Sequence, residues 1–416
     1  MFCFWQFTDT HLSHRDDPAV HAEIVSEPNQ LDLAHSEALI DAGLEAFLRD
    51  PNCEALLISG DLTNNGHPDE HRLMLEKLRR TARPGKRIIV ITASHDVGNT
   101  HKYNTPAQLR EWYAEFGPNQ AIASFDDGLA FVVQLCGGLR LLCVNDHDGA
   151  DWLAWGTEQI QQAHAAGDAI IGMTHCPTLP PSSIYGLMTP SRIFGGKSAE
   201  NTRILANAGL CLMLTGHSHI HNILRIQTPE GNPYWDVNTG AYTAGPGKFR
   251  ALTFDRNHIS VVSKDVPNGE GLRAHFEQLL QNIFDGMVGD FDLFAHSVNG
   301  IGMTPEDAYK NKKLFRALGW FTHHTTLGGL GRLLCCRIPK EVRRTRLRDM
   351  VCKIVLNMYY GEEHYGPQTP MGQAFAAIGK RLPKSLAAKC KADDMAGFML
   401  SMIYDPTPDD AAEIDL

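Results

Sequence analysis

The feature that most constrains this chain is a series of seven short apolar runs within residues 2–215, each the length of a β-strand. Helical patterns at Leu31–Leu48 and His71–Leu78 separate the first three runs. Strands that alternate with helices predict a layered α/β core. The runs are Phe2–Phe7, Ala55–Ser59, Arg87–Thr92, Ala130–Leu135, Arg140–Asn145, Ala169–Thr174 and Leu212–Thr215.

A second set of strand-like runs predicts a second sheet that packs on the first. These runs are Asn222–Gln227, Trp235–Val237, Ala251–Phe254 and Ile259–Val262. Beyond residue 267 the pattern becomes helical, so we predict two domains, residues 1–266 and an all-α domain of residues 267–416. Its predicted helices are Leu272–Phe284, Pro305–Phe321, Pro339–Tyr360, Met371–Leu382 and Leu386–Tyr404.

Composition indicates a globular protein of a reducing compartment. The chain has 416 residues, of which 43% are hydrophobic and 21% charged, and its formal charge of -10 argues against a general nucleic-acid binder. Its 10 cysteines form no C-x-x-C pair, and several lie in apolar runs. Residues 1–7 are too short for a signal peptide core, and no run approaches eighteen apolar residues. We therefore predict a cytoplasmic protein without a membrane segment.

Polar residues that can bind a metal follow five of the predicted strands. Ligands of open α/β sheets bind outside the carboxyl ends of the strands, and a pair at i, i+2 on a turn can aim both side chains at one ion. Carboxylates and imidazoles together suit Zn, Mn, Fe or Ni rather than Ca. The clusters are Asp9-Thr10-His11, Gly60-Asp61, Ser94-His95-Asp96, Thr174-His175 and Gly216-His217-Ser218-His219.

Each cluster alone also has a structural explanation. Asp69-Glu70-His71 repeats Asp-x-His inside a predicted helix, where we assign it no role. A single histidine such as His175 is often a hydrogen-bonded core residue, and an Asp after Gly, such as Asp61, is often a turn residue. The sequence Ser94-His95-Asp96 cannot be a hydrolase triad, because neighbouring side chains diverge. The order of the five clusters and their common place at strand ends argue against chance.

In this order the five clusters resemble the signature of the calcineurin-like metallophosphoesterases, over residues 1 to about 265. The resemblance implies a four-layer α/β/β/α sandwich and two transition-metal ions (Mn, Fe or Zn). Asp61 would bridge the ions. The other implied ligands are Asp9, His11 and His219 for one ion and His175 and His217 for the second. Within the family, the chain most resembles the cyclic-nucleotide phosphodiesterase-like branch, and its run from Glu111 to Gly117 resembles a segment of bacterial members that carry an extra helical C-terminal domain.

The third cluster departs from the family pattern, which reads Gly-Asn-His-Asp or Gly-Asn-His-Glu where this chain has Ala93-Ser94-His95-Asp96. The family's Asn gives its carbonyl oxygen to the second ion, so Ser94 would bind that ion weakly or through a water. His95 would contact the phosphate or the leaving group and act as a general acid. Asp96 would orient His95, or it would be a solvent-facing turn residue with no role.

The resemblance implies hydrolysis of a phosphoester. Two ions about 3.5–4 Å apart lower the pKa of a bridging water, and the resulting hydroxide attacks phosphorus in line. The predicted substrate is small and anionic, a phosphodiester rather than a monoester, with a nucleotide-like compound as the best candidate. Two alternatives stay open. One is a degenerate, non-catalytic regulatory protein, for which Ser94 is the support. The other is a nuclease, which the basic tail favours and the net charge opposes.

Other residues permit two interpretations each. Asn64 and Asn65 either bind substrate or form the turn before Gly66. The basic residues between Lys310 and Lys353 either attract an anion or form solvated helix faces. We interpret Gly328-Gly329-Leu330-Gly331 as a connection between helices. The helical domain is predicted to flank the cleft or to form a homo-oligomer, and to supply no metal ligand.

Overall fold

The computed structural model describes residues 1–98, 101–145, 152–298, 303–390 and 392–416. Its strands are β1 (Phe2–Phe7), β2 (Cys53–Ser59), β3 (Arg87–Ile91), β4 (Ala123–Phe125), β5 (Ala130–Cys136), β6 (Leu139–Val144), β7 (Ala169–Met173), β8 (Leu212–Thr215), β9 (Asn222–Gln227), β10 (Pro233–Asn238), β11 (Lys248–Asp255), β12 (His258–Asp265) and β13 (Ala411–Asp415).

The helices divide into a group within the strands and a group after β12. The first group is α1 (Pro18–Ser26), α2 (Ser36–Arg49), α3 (Pro68–Thr81), α4 (Ser94–Val97), α5 (Pro106–Trp112), α6 (Trp152–Ala165), α7 (Ser183–Met188) and α8 (Ser198–Ala208). The second group is α9 (Leu272–Val288), α10 (Phe291–Ser297), α11 (Pro305–Lys310), α12 (Lys312–His324), α13 (Leu327–Leu333), α14 (Leu347–Tyr360), α15 (Pro370–Gly379), α16 (Lys384–Lys389) and α17 (Met395–Ser401). None of the described helices has the length and apolar content needed to cross a membrane.

The described strands form two sheets, with the orders β13-β12-β11-β1-β2-β3 and β4-β5-β6-β7-β8-β10-β9. The strands β1, β2 and β3 run parallel, and so do β6, β7, β8 and β10. Parallel neighbours bring their carboxyl ends to one edge of a sheet. This arrangement gathers the residues that follow β1, β2, β3, β7 and β8.

Alternation along the strands builds four layers. The inward faces of the two sheets share one core, in which Phe4 and Leu57 belong to the same cluster as Ile171 and Leu214. The outer face of the first sheet packs on α2 and α3, and the outer face of the second sheet packs on α6 and α8. Successive strand residues point to opposite faces, so near-continuous apolar runs fit strands that are covered on both sides. The predicted α/β/β/α sandwich, with further helices at the C-terminal end, is confirmed.

Every predicted strand is present, with ends that differ by at most three residues, but several helices differ from prediction. The helix predicted from Leu31 begins at Ser36, and the one predicted over Pro305–Phe321 breaks at Asn311. The interpretation of Gly328–Gly331 as a connection is wrong, because these residues lie in α13. The helix predicted from Pro339 begins only at Leu347. The reason is tertiary, since the backbone before Leu347 bonds to the start of α13, with Gly328 N donating to the Arg343 oxygen at 2.9 Å.

The end of the chain returns to the sandwich, which the sequence analysis did not predict. Strand β13 pairs antiparallel with β12, and its Ile414 lies in the core between the sheets. The helical region also contacts residues beside the strand ends. The His221 amide donates to the Tyr359 carbonyl oxygen at 3.0 Å, and the Ser182 hydroxyl contacts Met358 Sδ at 3.1 Å. The boundary at residue 266 stays a prediction, and the last strand lies in the first sheet's layer.

Candidate metal centre

The predicted ligands meet at the carboxyl ends of the central strands. Asp9 and His11 follow β1, Asp61 follows β2, and His175 follows β7. His217 and His219 follow β8 and complete the set. Their ligand atoms form two groups that could each hold an ion, Asp9 with His11 and His219, and Asp61 with His175 and His217, while a third such group joins His11 and Asp61 to His95.

The first group is compact and buried at its centre. His11 Nε2 lies 3.3 Å from His219 Nε2, and Asp9 Oδ1 lies 3.3 Å from His219 Nε2 and 3.7 Å from His11 Nε2. Asp9 and His11 have no exposed surface. One carboxylate oxygen and two imidazole nitrogens therefore face a common point, an arrangement that suits a transition-metal ion.

The second group adjoins the first through Asp61. Asp61 Oδ2 lies 3.0 Å from His175 Nε2 and 4.0 Å from His11 Nε2, so this carboxylate faces members of both groups. The ring of His217 lies edge-on to that of His175, with centroids 5.1 Å apart. This placement of Asp61 is the one that a bridging ligand requires.

The turns that carry the ligands have unusual backbone conformations. Asp9, His11, Asp61, His217 and His219 have φ values of 50°, 40°, 47°, 66° and 58°. The left-handed region costs a non-glycine residue about 1–3 kcal/mol and persists where surrounding structure enforces it. Five such residues at one edge of the molecule indicate that the turns are held for a purpose other than stability.

Two glycines make room for the ligand side chains. A Cβ at Gly216 would lie 2.0 Å from Thr8 Oγ1 and 2.5 Å from Asp9 Oδ2. A Cβ at Gly60, which has a φ of 94°, would lie 2.7 Å from the Nδ1 atom of His175. The glycine before Asp61 and the glycine before His217 are thus required by close approach.

Backbone carbonyl groups set the orientation of two imidazoles. The Nδ1 atom of His175 donates to the Ser59 oxygen at 2.8 Å, and that of His95 donates to the Asn64 oxygen at 2.6 Å. Each Nε2 is left with its lone pair when the ring is neutral. The Nδ1 atom of His219 lies 3.3 Å from Gln30 Oε1. Sequence analysis missed Gln30, which lies in a loop without a motif.

The electrostatics of the centre match a set of metal ligands. Burial lowers the pKa of His11 to about 4, and burial with the charge of His175 lowers that of His217 to about 3, so both are in the neutral form that binds metals. Burial would raise the pKa of Asp9, yet His175, His11 and His219 hold it well below its usual value. Burial would lower the pKa of His175, but the charges of Asp61 and Asp9 raise it to about 10. The paired carboxylates thus attract positive charge.

Several buried ligand atoms have no hydrogen-bond partner among the described residues. They are Asp9 Oδ1, His217 Nε2 and His175 Nε2, the last of which lies 3.0 Å from Asp61 Oδ2 but without hydrogen-bond geometry. Unpaired buried polar atoms are rare in folded proteins because each one costs about 1–3 kcal/mol. Metal ions would supply the missing partners, so the residues present fit a dinuclear transition-metal centre.

The prediction that Asp96 faces solvent or orients His95 is wrong. Asp96 is fully buried, and its carboxylate accepts hydrogen bonds from the Ala93 amide at 2.8 Å and from the Thr63 amide and hydroxyl at 3.0 Å. It occupies the first turn of α4, where a carboxylate closes the turn. Burial and the charge of Asp61 raise the pKa of Asp96 to about 7. The Asn64 carbonyl oxygen, rather than Asp96, orients His95.

The remaining predicted residues lie around the centre. His95 is half-buried, its ring lies edge-on to that of His11 at 4.7 Å, and its amide donates to Asp61 Oδ1 at 2.9 Å. Ser94 is the exposed first residue of α4. The Asn65 amide donates to Glu70 Oε2 at 2.9 Å, which supports a turn at Asn64–Asn65. Contacts of Ser94 with metal, and of Asn64 or Asn65 with substrate, stay predictions.

Comparison with known proteins places this geometry in a family. The family model of the calcineurin-like phosphoesterases matches residues 3–221. No curated protein sequence matches the chain. Among solved structures, the chain is similar to a dimetal phosphatase from Danio rerio, with 10% identity and a TM-score of 0.47 over 64% of this chain and 96% of that chain.

It is also similar to a purple acid phosphatase from yellow lupin seeds, with 13% identity and a TM-score of 0.40 over 65% of this chain and 52% of that chain. With identities this low and TM-scores below 0.5, these two likenesses carry no conclusion about this chain. The family match is different in kind, because it spans more than half of the sequence and includes the residues of both ligand groups. This chain belongs to the calcineurin-like phosphoesterase family.

Proposed function

We propose that this protein, a metal-dependent phosphoesterase by its family, acts on a phosphodiester, with a small nucleotide-like compound as its substrate. The observation that carries the proposal is the pair of ligand groups that meet at Asp61, with buried ligand atoms that lack a protein partner. Hydrolysis by a two-metal mechanism needs two sets of ligands that share a carboxylate, so that both ions lie close to the reacting phosphorus.

The proposed ligands divide as the geometry does. Asp9, His11 and His219 would hold one ion, and His175 and His217 would hold the second, with Asp61 shared. When bound, Mn, Fe or Zn ions supply an activated water and the positive charge that offsets charge on phosphoryl oxygens. The buried carboxylates and the fixed imidazoles would keep these ions in place without rearrangement.

His95 is the proposed general acid. It is half-buried at the edge of both ligand groups, and the Asn64 carbonyl oxygen fixes its Nδ1 as a donor. A proton on Nε2 would then be free to pass to the leaving oxygen of the substrate. We also propose a cytoplasmic location, which the ten free cysteines support because free thiols persist in reducing compartments.

The test compares metal content with turnover. Protein purified without chelators should contain two metal equivalents and should hydrolyse an aryl phosphodiester with a higher kcat/KM than the matching aryl monoester. His175→Ala should lose metal and turnover together. His164→Ala is the matched control, because His164 is exposed and its Nε2 lies 3.1 Å from the Gly209 carbonyl oxygen, far along the chain from the predicted ligands.

The alternatives give different results in the same experiment. Two bound ions without turnover of either ester would favour the regulatory protein, for which Ser94 is the support. Faster monoester hydrolysis would overturn the diester assignment and leave the phosphoesterase intact. Loss of metal from the His164 variant would show that the assay reports general damage to the fold.

A further inference from the structure

The chain segment after α7 returns to the loop that carries His175. Pro190–Arg192 forms a short 3-10 helix, and the Phe194 amide donates to the Pro177 carbonyl oxygen at 3.1 Å. Four residues later, the Ser198 hydroxyl donates to the Thr178 carbonyl oxygen. Pro177 lies two residues after His175. The two bonds therefore hold the Arg192 turn beside the second ligand group.

Arg192 is a cation without an ionic partner at this position. It is exposed, and no carboxylate of the described residues lies within ion-pair distance of it. By contrast, Arg15, which follows the β1 cluster, is paired with Glu70 at 2.6 Å. The next residue, Ile193, is buried, so the turn that carries Arg192 is anchored beside the loop that follows His175.

We propose that Arg192 is a substrate-binding residue whose guanidinium binds the anionic oxygens of the phosphoester. This inference rests on the proposed function, which it deepens by naming the group that receives the substrate's charge. A guanidinium offers a planar fork of donors that matches the two oxygens of a phosphate, and it stays charged at every working pH. On an exposed turn, Arg192 would also attract anions toward the cleft.

The test uses the metal-loaded full-length protein, with Arg192→Gln, Arg192→Lys and Arg203→Gln. Arg203 is the matched control, an exposed arginine of α8 that pairs with Glu230. Metal content, kcat and KM for an aryl phosphodiester, and inhibition by inorganic phosphate are measured for each protein. We expect Arg192→Gln to keep two metal equivalents and to weaken phosphate binding about tenfold or more, as loss of a charged hydrogen bond does.

The other variants sharpen the assignment. Arg192→Lys should recover only part of the phosphate affinity, since a single ammonium lacks the fork, and Arg203→Gln should match the unaltered protein. Equal phosphate affinity in Arg192→Gln would overturn the proposal, and so would an equal loss in Arg203→Gln. If the unaltered protein hydrolyses neither ester, the proposed function fails. Calorimetric titration of inorganic phosphate then decides the role of Arg192 separately.

Discussion

The sandwich and the helical region differ in how completely they bury their apolar residues. The central strands β7 and β8 are buried at every position. Helix α12, in contrast, buries only Gly319 and Thr322, while Leu314 and Trp320 are 64% and 61% exposed. Strained turns need a rigid surrounding to hold them. The predicted ligands accordingly follow the buried strands, and none comes from the helical region.

The two regions therefore have different roles in the proposed activity. Left-handed turns, close-packed glycines and buried carboxylates fix the ligand positions in the sandwich before any ion binds. The helical region contacts the residues that follow the ligands, at His221 and Ser182. We expect it to shape the approach to the cleft or to mediate self-association. Substitutions in each region test this division.

Asp61→Ala should be the most damaging change to the sandwich's chemistry. Asp61 faces both ligand groups, so its loss leaves two cations without their shared carboxylate. We expect at least a ~10³-fold loss of kcat/KM, equivalent to about 4 kcal/mol of transition-state stabilisation, and loss of bound metal. Metal analysis and steady-state kinetics measure both. Asp69→Ala, in the Asp-x-His sequence of α3, is the control and should keep both ions. Two retained equivalents in Asp61→Ala would contradict the bridge.

Ile414→Ala tests whether the chain's last strand belongs to the sandwich's core. Ile414 is fully buried between the sheets, so a cavity should lower the free energy of unfolding by about 3 kcal/mol. Leu333→Ala in the helical region, where Leu333 is 70% exposed, should change it by less than about 0.5 kcal/mol. Urea denaturation of both variants gives the comparison. Equal effects would mean that the last strand is not part of the core.

The sandwich was predictable from sequence because its signals are local. A strand buried on both faces is a continuous apolar run, and five of the seven runs within residues 2–215 are followed by polar residues that can bind a metal. The residue order then carried the family resemblance. Contacts between residues distant in the sequence could not be predicted at the site. Examples are the hydrogen bond from His95 to the Asn64 carbonyl oxygen and the one from the Thr63 hydroxyl to the buried Asp96 carboxylate. Neither contact leaves a pattern in the sequence.

The helical region was less predictable because its helix ends are set by tertiary bonds. Residues 340–346 contain neither glycine nor proline and so favour a helix that begins at Pro339, yet the backbone there bonds to the start of α13 instead of forming a helix. Three glycines, at 328, 329 and 331, are typical of a loop. They lie in a helix because the Thr326 hydroxyl caps α13 and Gly331 packs against Ile338. Strand β13 is short and lies at a sheet edge, so its apolar content was too small to identify.

Glu363→Gln tests the junction between the regions through its pH dependence. Burial, with the charge of Asp409, raises the pKa of Glu363 from an ordinary 4.5 to about 9, so the folded protein binds a proton that the unfolded chain releases. Stability that is present below pH 4.5 is therefore lost as pH rises toward 9. Glutamine stays neutral, so the free energy of unfolding of the variant should rise relative to that of the unaltered protein by up to about 1.4 kcal/mol per pH unit in this window.

Urea denaturation at pH 5, 7 and 9 measures this slope. Glu362→Gln is the control, because Glu362 is only half-buried and pairs with Arg273 at 2.7 Å, and its profile should parallel that of the unaltered protein. Parallel profiles for Glu363→Gln as well would show that Glu363 is ionised in the folded protein.

The smallest expected effect concerns Ser94, where this chain departs from its family. Ser94 is exposed at the start of α4, and the neighbouring His95 amide is fixed to Asp61 Oδ1 at 2.9 Å, so this position borders the second ligand group. Ser94→Asn adds a carbonyl oxygen with longer reach and should strengthen binding of the second ion by about 1–2 kcal/mol. Turnover should rise at limiting metal and change little at saturation. If the site has instead adjusted to serine, the longer side chain crowds its neighbours and lowers both. Metal titration of the unaltered protein, Ser94→Asn and Ser94→Ala separates the cases, and equal or weaker affinity in the Asn variant would contradict a simple loss of a ligand.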